Sequence, residues 1–269
     1  MKQINLTLGI TMGGFSLLML AAYFGLVVYF EFPDILRAET SHMLSVFQRN
    51  QNAIVLFYYL FVISQIVFVA IILQLGHYFR NAPSMLLTIS GGFGVLAGLC
   101  QAIGFLRWPF LVPYLASIVS DPTASIVSKE TANIVLQSFH QFSGVAIGEN
   151  LFFIFEGVWG ICLGVYLIKY RLLSRPLSII PLVAGVIIIV YSLEQFGGSM
   201  AVLAPLNVIG HGALVFWFLA LSKIFLQHSM ISKSRNRNSQ NINHHTRVGK
   251  ITVAFLWITY LGIVTPGLI

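Results

Sequence analysis

The sequence predicts an all-α protein: a polytopic transmembrane helical bundle of six to seven spans, with a surface helix before the fourth span. Three observations carry that prediction. The chain is 57% hydrophobic and only 9% charged, whereas soluble domains average about 25% charged residues. Its apolar residues come in long unbroken runs, not in the alternation of a membrane barrel. The runs also have the right length, since a spanning helix needs about 20 apolar residues.

Six runs meet that length, at roughly 6–30, 53–75, 84–106, 143–168, 177–198 and 206–226. The first follows Lys2 and outlasts the apolar core of a signal peptide, about 7–15 residues, so it reads as a retained helix. A seventh run at 251–269 is shortened by Pro266 and Gly267. The expected organisation is therefore a six-span bundle over 1–226, a basic loop over 227–250 and a further span over 251–269. The loop contains "SKSRNRNSQNINHHTRVGK", polar and rich in Asn and Ser, which predicts a disordered cytoplasmic linker drawn to anionic lipid.

Charge placement predicts orientation. With seven spans, eleven Lys and Arg residues fall on the side of the N-terminus, and four fall opposite: Arg37, Arg49, Arg107 and Lys129. The positive-inside rule then places the N-terminus in the cytoplasm. The loop acids Glu31, Asp34, Glu39, Asp121 and Glu130 all lie on the outer side. The net charge of +7 is explained by topology, so no nucleic-acid partner is expected, and the predicted partner is membrane lipid. Before the fourth span, Asp121-Pro122 reads as a cap followed by a first-turn proline, which starts the surface helix. Trp108 and Tyr114 suit the headgroup belt.

Cys100 and Cys162 lie inside apolar runs and read as packing residues. Gly94/Gly98, Gly144/Gly148 and Gly160/Gly164 have the spacing that lets membrane helices approach closely.

The polar residues inside the spans are the candidate site. Glu149 and Glu156 are seven residues apart, within about 20° of one face of an α-helix. Depth in the bilayer places Glu194, Asn207, His211, Gln101 and Arg107 at a similar outer level. The expectation is one binding layer of Gln101, Arg107, Glu149, Glu156, Glu194, Asn207 and His211. Arg107 would be the counter-charge of Glu149 or Glu194, His211 would reach one of the same glutamates, and Glu156 would hold a proton below them. The plainer reading satisfies each residue separately, through an Arg107–Glu149 ion pair and a His211 bond to a backbone carbonyl. Intramembrane ionisable groups are functional by default, which favours the layer.

No metal and no cofactor are expected. The intramembrane glutamates Glu149, Glu156 and Glu194 lack the Glu-x-x-His step of helix-bundle metal sites, and His140 is nine residues from Glu149, on the opposite face of an α-helix. Serine-elbow, HExxH and phosphate-loop motifs are also missing. Three function classes remain. The first is a small-molecule transporter or proton-linked sensor, whose ligand is a small molecule or a proton. The others are an intramembrane enzyme acting on lipid and a structural scaffold.

"GFLRWPFLVPYLA" is followed about 30 residues later by "FHQFSGVAIGEN" and then "EGVW". These segments resemble the bacterial multi-pass proteins grouped as domain of unknown function 4386. The resemblance runs from "FPDILR" at 32–37 through the sixth span. It implies a helical protein of the bacterial inner membrane and assigns no reaction or catalytic residue.

Overall fold

The computed structural model describes residues 2–80, 82 and 84–242, with side chains over 5–80, 82 and 84–229. Among the described residues there is no strand. The long helices are α1 (Lys2–Phe30), α3 (Gln51–Tyr78), α4 (Met85–Phe110), α7 (Phe152–Lys169), α8 (Arg175–Tyr191) and α9 (Pro205–Ile242). Short helices α2 (Thr40–Arg49), α5 (Val112–Ser120) and α6 (Ile126–Phe139) lie in the connections. Among the described residues, six helical stretches are long and apolar enough to cross a membrane. Their outward side chains include Leu17, Val28, Ile66, Leu73 and Phe216, all largely exposed. A face this apolar belongs against acyl chains rather than water.

The connections are unequal, and this decides where the site lies. At one end they are tight, as in the turn from α7 to α8. Tyr166 there donates its hydroxyl to the Ala82 carbonyl at 2.8 Å, and Trp217 donates Nε1–H to the Leu177 carbonyl at 2.6 Å. The other end carries α2, α5, α6 and three 3₁₀ segments, Asp34–Arg37, Ser192–Phe196 and Gly198–Leu203. This loop-rich end has its own core. Phe47, Tyr58 and Trp108 are buried together, with Leu115 of α5 and Leu136 of α6. Tyr58 stacks on Trp108 at 4.9 Å between ring centroids.

The expected surface helix exists, but its start and its end both differ from expectation. Asp121 does not cap it. Its carboxylate accepts from the Thr123 amide at 2.7 Å and closes a turn. The helix starts at Ile126, where the Ser125 hydroxyl accepts from the Ser128 amide at 3.1 Å. Proline's missing N–H suits a turn as well as a first helical turn, so a cap-plus-proline pair decides less than it suggests. At its far end α6 passes without a break through a π-helical segment, His140–Leu151, into α7. The whole stretch, Ile126–Lys169, is 44 residues. That is roughly 66 Å at 1.5 Å per residue, about twice a bilayer's hydrocarbon core. The fourth span therefore projects well beyond the apolar layer at the loop-rich end.

Close backbone approach locks the spans. A Cβ built on Gly148 would lie 2.6 Å from the Gly104 Cα, so α4 and the π segment touch backbone to backbone. Gly160 meets the Pro181 carbonyl of α8 in the same way. In a bilayer such contact supplies the packing that water would otherwise drive. Cys100 and Cys162 are free and half-buried.

The helix α9 continues to Ile242, through the first part of the segment expected to be a disordered loop. Extending an existing helix avoids the nucleation cost, so a polar stretch can follow an apolar one in helical form. Residues 1–229 form one compact unit, and the described residues after them belong to a second. The expected span over 251–269 lies outside the described residues.

Candidate functional site

The intramembrane polar residues form two groups rather than one layer. The π segment provides the reason. Its i→i+5 turns are wider than α turns, so Glu149 inside it loses the azimuth that α geometry would have given it relative to Glu156. The seven-residue step between them also separates the carboxylates by about 10 Å along the axis.

The first group centres on Arg37. Its Nη2 lies 2.7 Å from Glu149 Oε2 and 3.0 Å from Glu194 Oε2, and it donates to Gln195 Oε1 at 3.2 Å. Gln195 Nε2 donates in turn to Glu194 at 3.1 Å. One guanidinium thus ties the loop after α1 to the fourth span and to the turn after α8. Both carboxylates are nearly buried, with side-chain exposures of 13% for Glu149 and 11% for Glu194, against 40% for Arg37. Burial alone would lower the Arg37 pKa. The Glu149 charge and the hydrogen bonds to both glutamates outweigh it and leave the pKa raised. Arg37 is therefore a fixed cation.

Local structure aims these side chains. Ile35 is buried beneath the Asp34–Arg37 turn, and His140 donates Nε2–H to the Leu36 carbonyl at 2.9 Å. His140 thereby holds the loop that presents Arg37. On the opposite side, Gly197 at φ +67° turns the chain just after Glu194 and Gln195, a conformation that suits glycine.

The second group is deeper. Glu156 Oε2 lies 3.0 Å from His211 Nε2, an ion-pair distance, although the alignment falls short of a straight hydrogen bond. Their side chains are 8% and 21% exposed. His211 Nδ1 donates to the Asn207 carbonyl at 3.0 Å, and Asn207 Nδ2 donates to the Tyr191 hydroxyl at 3.1 Å. Phe152 stacks on the imidazole at 5.9 Å, and Phe153 lies 5.5 Å from it. A backbone carbonyl can only accept, so Nδ1 carries hydrogen and Nε2 is the titrating nitrogen facing the carboxylate. Tyr191 stands between the groups, within Coulomb range of Glu149, Glu194 and Arg37.

Three expectations need correction. Arg107 is not the ion-pair partner of Glu149 or Glu194. It is buried, donates to the Gly104 carbonyl of its own helix, and packs against Gly144 and the face of Trp108. Glu149 and Arg37 remain within its Coulomb range, so the two arginines and two glutamates together sum to zero charge. The partner of His211 is Glu156, not an outer glutamate, and Glu156 is accordingly not an isolated proton holder. Gln101 joins neither group, and its Oε1 is buried without a hydrogen-bond partner among the described residues. The sequence reading missed Arg37, which looked like an ordinary loop cation, and treated His140 as turned away from the chemistry. An arginine beside a buried-looking Ile35 was the available signal. Among the described residues no cluster of three or more His, Cys, Asp and Glu is arranged to hold a metal ion.

The profile of a family described as a domain of unknown function (DUF4386) matches residues 11–221. The chain belongs to that family. The DUF4386 match includes both polar groups and stops before the end of the unit formed by residues 1–229. No curated protein and no solved structure matches the chain.

Proposed function

We propose that this DUF4386 protein is a proton-linked sensor of the bacterial inner membrane, with its N-terminus in the cytoplasm and its loop-rich end outside. The observation that carries the reading is the buried Glu156–His211 pair joining α7 to α9. The facing atoms Glu156 Oε2 and His211 Nε2 can share one mobile proton. It sits on Glu156 Oε2 or on His211 Nε2, while Nδ1–H stays bonded to the Asn207 carbonyl. A second proton from outside leaves a neutral acid beside an imidazolium and removes the attraction between the two helices. Asn207 and Tyr191 lead from the pair toward the Arg37 group, so the change in charge has a path to the loop-rich end. Buried ionisable groups in a bundle commonly form such proton relays.

Trp159 and Trp217 provide a built-in reporter, with ring centroids 6.3 Å apart on the same two helices. Their fluorescence, followed on acidification in proteoliposomes, should show a transition that is lost in Glu156→Gln and in His211→Gln. A transition unchanged in both variants refutes the proposal and leaves the scaffold reading. A transporter driven by the same proton is the second reading, favoured by the π segment, since such wide turns often mark functional sites. Dissipation of an imposed pH gradient, read by a trapped dye, would separate it from the sensor. An enzyme acting on lipid predicts turnover of bilayer phospholipid instead.

A further inference from the structure

A cavity of about 350 Å³ opens at the loop-rich end, between the 34–43 loop and the start of the fourth span. It falls within the size range of small-molecule sites. None of the seven residues of the expected binding layer lines it. Its wall carries two opposite charges from one short stretch, Arg37 and Glu39.

Both charges have bonding capacity left. Arg37 uses Nη2 and Nε on the glutamates and Gln195, while Nη1 makes no hydrogen bond among the described residues. Glu39 is exposed, caps no amide of α2 and makes no ion pair among the described residues. Gln137, Gln141 and Thr40 add neutral polar groups, and Met43 and Leu136 supply an apolar floor.

The electrostatics select the ligand class. A simple anion could accept from Arg37 Nη1 but would leave the facing Glu39 carboxylate without a partner. A simple cation could pair with Glu39 but would leave Arg37 Nη1 without an acceptor. A molecule carrying both charges satisfies both walls at no net cost in charge. We propose that this cavity binds a small zwitterion, its acidic group donated to by Arg37 Nη1 and its ammonium held by Glu39. A free amino acid and a phosphatidylethanolamine headgroup share that chemistry. The proposal rests on Arg37 and Glu39, and its test does not read the Glu156–His211 pair.

The test is calorimetric titration of the purified full-length protein with γ-aminobutyrate, butyrate and butylamine. A parallel arm compares retention of phosphatidylethanolamine and phosphatidylglycerol by native mass spectrometry. Glu39→Gln is the informative variant, because the Glu39 side chain makes no cap and no ion pair among the described residues, and its replacement leaves the Arg37 clamp intact. A free-solute site predicts that γ-aminobutyrate binds at least tenfold more tightly than either half-molecule, with at least a tenfold loss in Glu39→Gln. A headgroup site predicts selective retention of phosphatidylethanolamine, again lost in Glu39→Gln. Butyrate or butylamine binding as well as the zwitterion, no preference in either arm, or a preference unchanged in Glu39→Gln overturns the proposal.

Discussion

Replacing Arg37 with Met removes the cation that Glu149 and Glu194 share and leaves two nearly buried carboxylates facing each other. Two unit charges about 4 Å apart interact by about 4 kcal/mol at an effective dielectric near 20. Arg37 serves two such partners, but its side chain is 40% exposed, so solvent screening takes back a large part. Removing one member of a fully buried pair costs about 3–5 kcal/mol. The partly exposed clamp should therefore cost about 3 kcal/mol. The arginine's folded pKa is raised, so its contribution is complete below the unfolded value and is lost only as pH rises through the folded one. Both lie far above working pH, and on the arginine side the effect should not vary with pH in the neutral range. The assay is unfolding in mixed micelles with a denaturing detergent, followed by far-ultraviolet circular dichroism. Adding Glu149→Gln to the Met variant should recover about half of the loss, because one of the two stranded charges is then gone. A loss below about 0.5 kcal/mol, or no recovery in the double variant, would refute the clamp as a stabilising unit.

Arg107→Met should behave differently, changing stability by about 1 kcal/mol or less in the same assay. A buried ion without a paired carboxylate is readily exchanged for an apolar side chain of similar length, and a loss as large as that of Arg37→Met would return Arg107 to the role of counter-charge. Gly148→Val should cost about 3 kcal/mol, since its Cβ meets the Gly104 backbone, which cannot give way. Gly91→Ala on the same helix as Gly104 should be neutral or slightly stabilising, because nothing lies within 4 Å of its Cβ and alanine favours the helix. Reporter fusions ending at residue 172 should read cytoplasmic and those ending at 120 external, and reversed signals would invert the proposed orientation.

The class and the presence of six spans follow from the sequence by itself, whereas the helices of the fourth and sixth spans run well past the apolar runs that announced them. Hydrocarbon offers no hydrogen bonds, so a chain with apolar runs of this length has few alternatives to spanning helices. The glycine spacings also announced close packing, which Gly148 and Gly160 bear out. The grouping of the polar residues was decided only by tertiary structure. Depth along each span could be counted, and Glu149 and Glu194 do share the Arg37 guanidinium. Azimuth could not, because the π segment changes the turn on which Glu149 sits while Glu156 remains in α geometry. The cation for the outer glutamates came from a loop, and a loop's path depends on what anchors it: Ile35 beneath the turn and His140 on the Leu36 carbonyl, more than a hundred residues away in sequence. Arg107 had the right depth and the right charge, yet its helix directs it into Gly144 and Trp108. Helical periodicity orders residues along one element, whereas partners across elements are set by loop anchors and helix rotation, which no local pattern encodes.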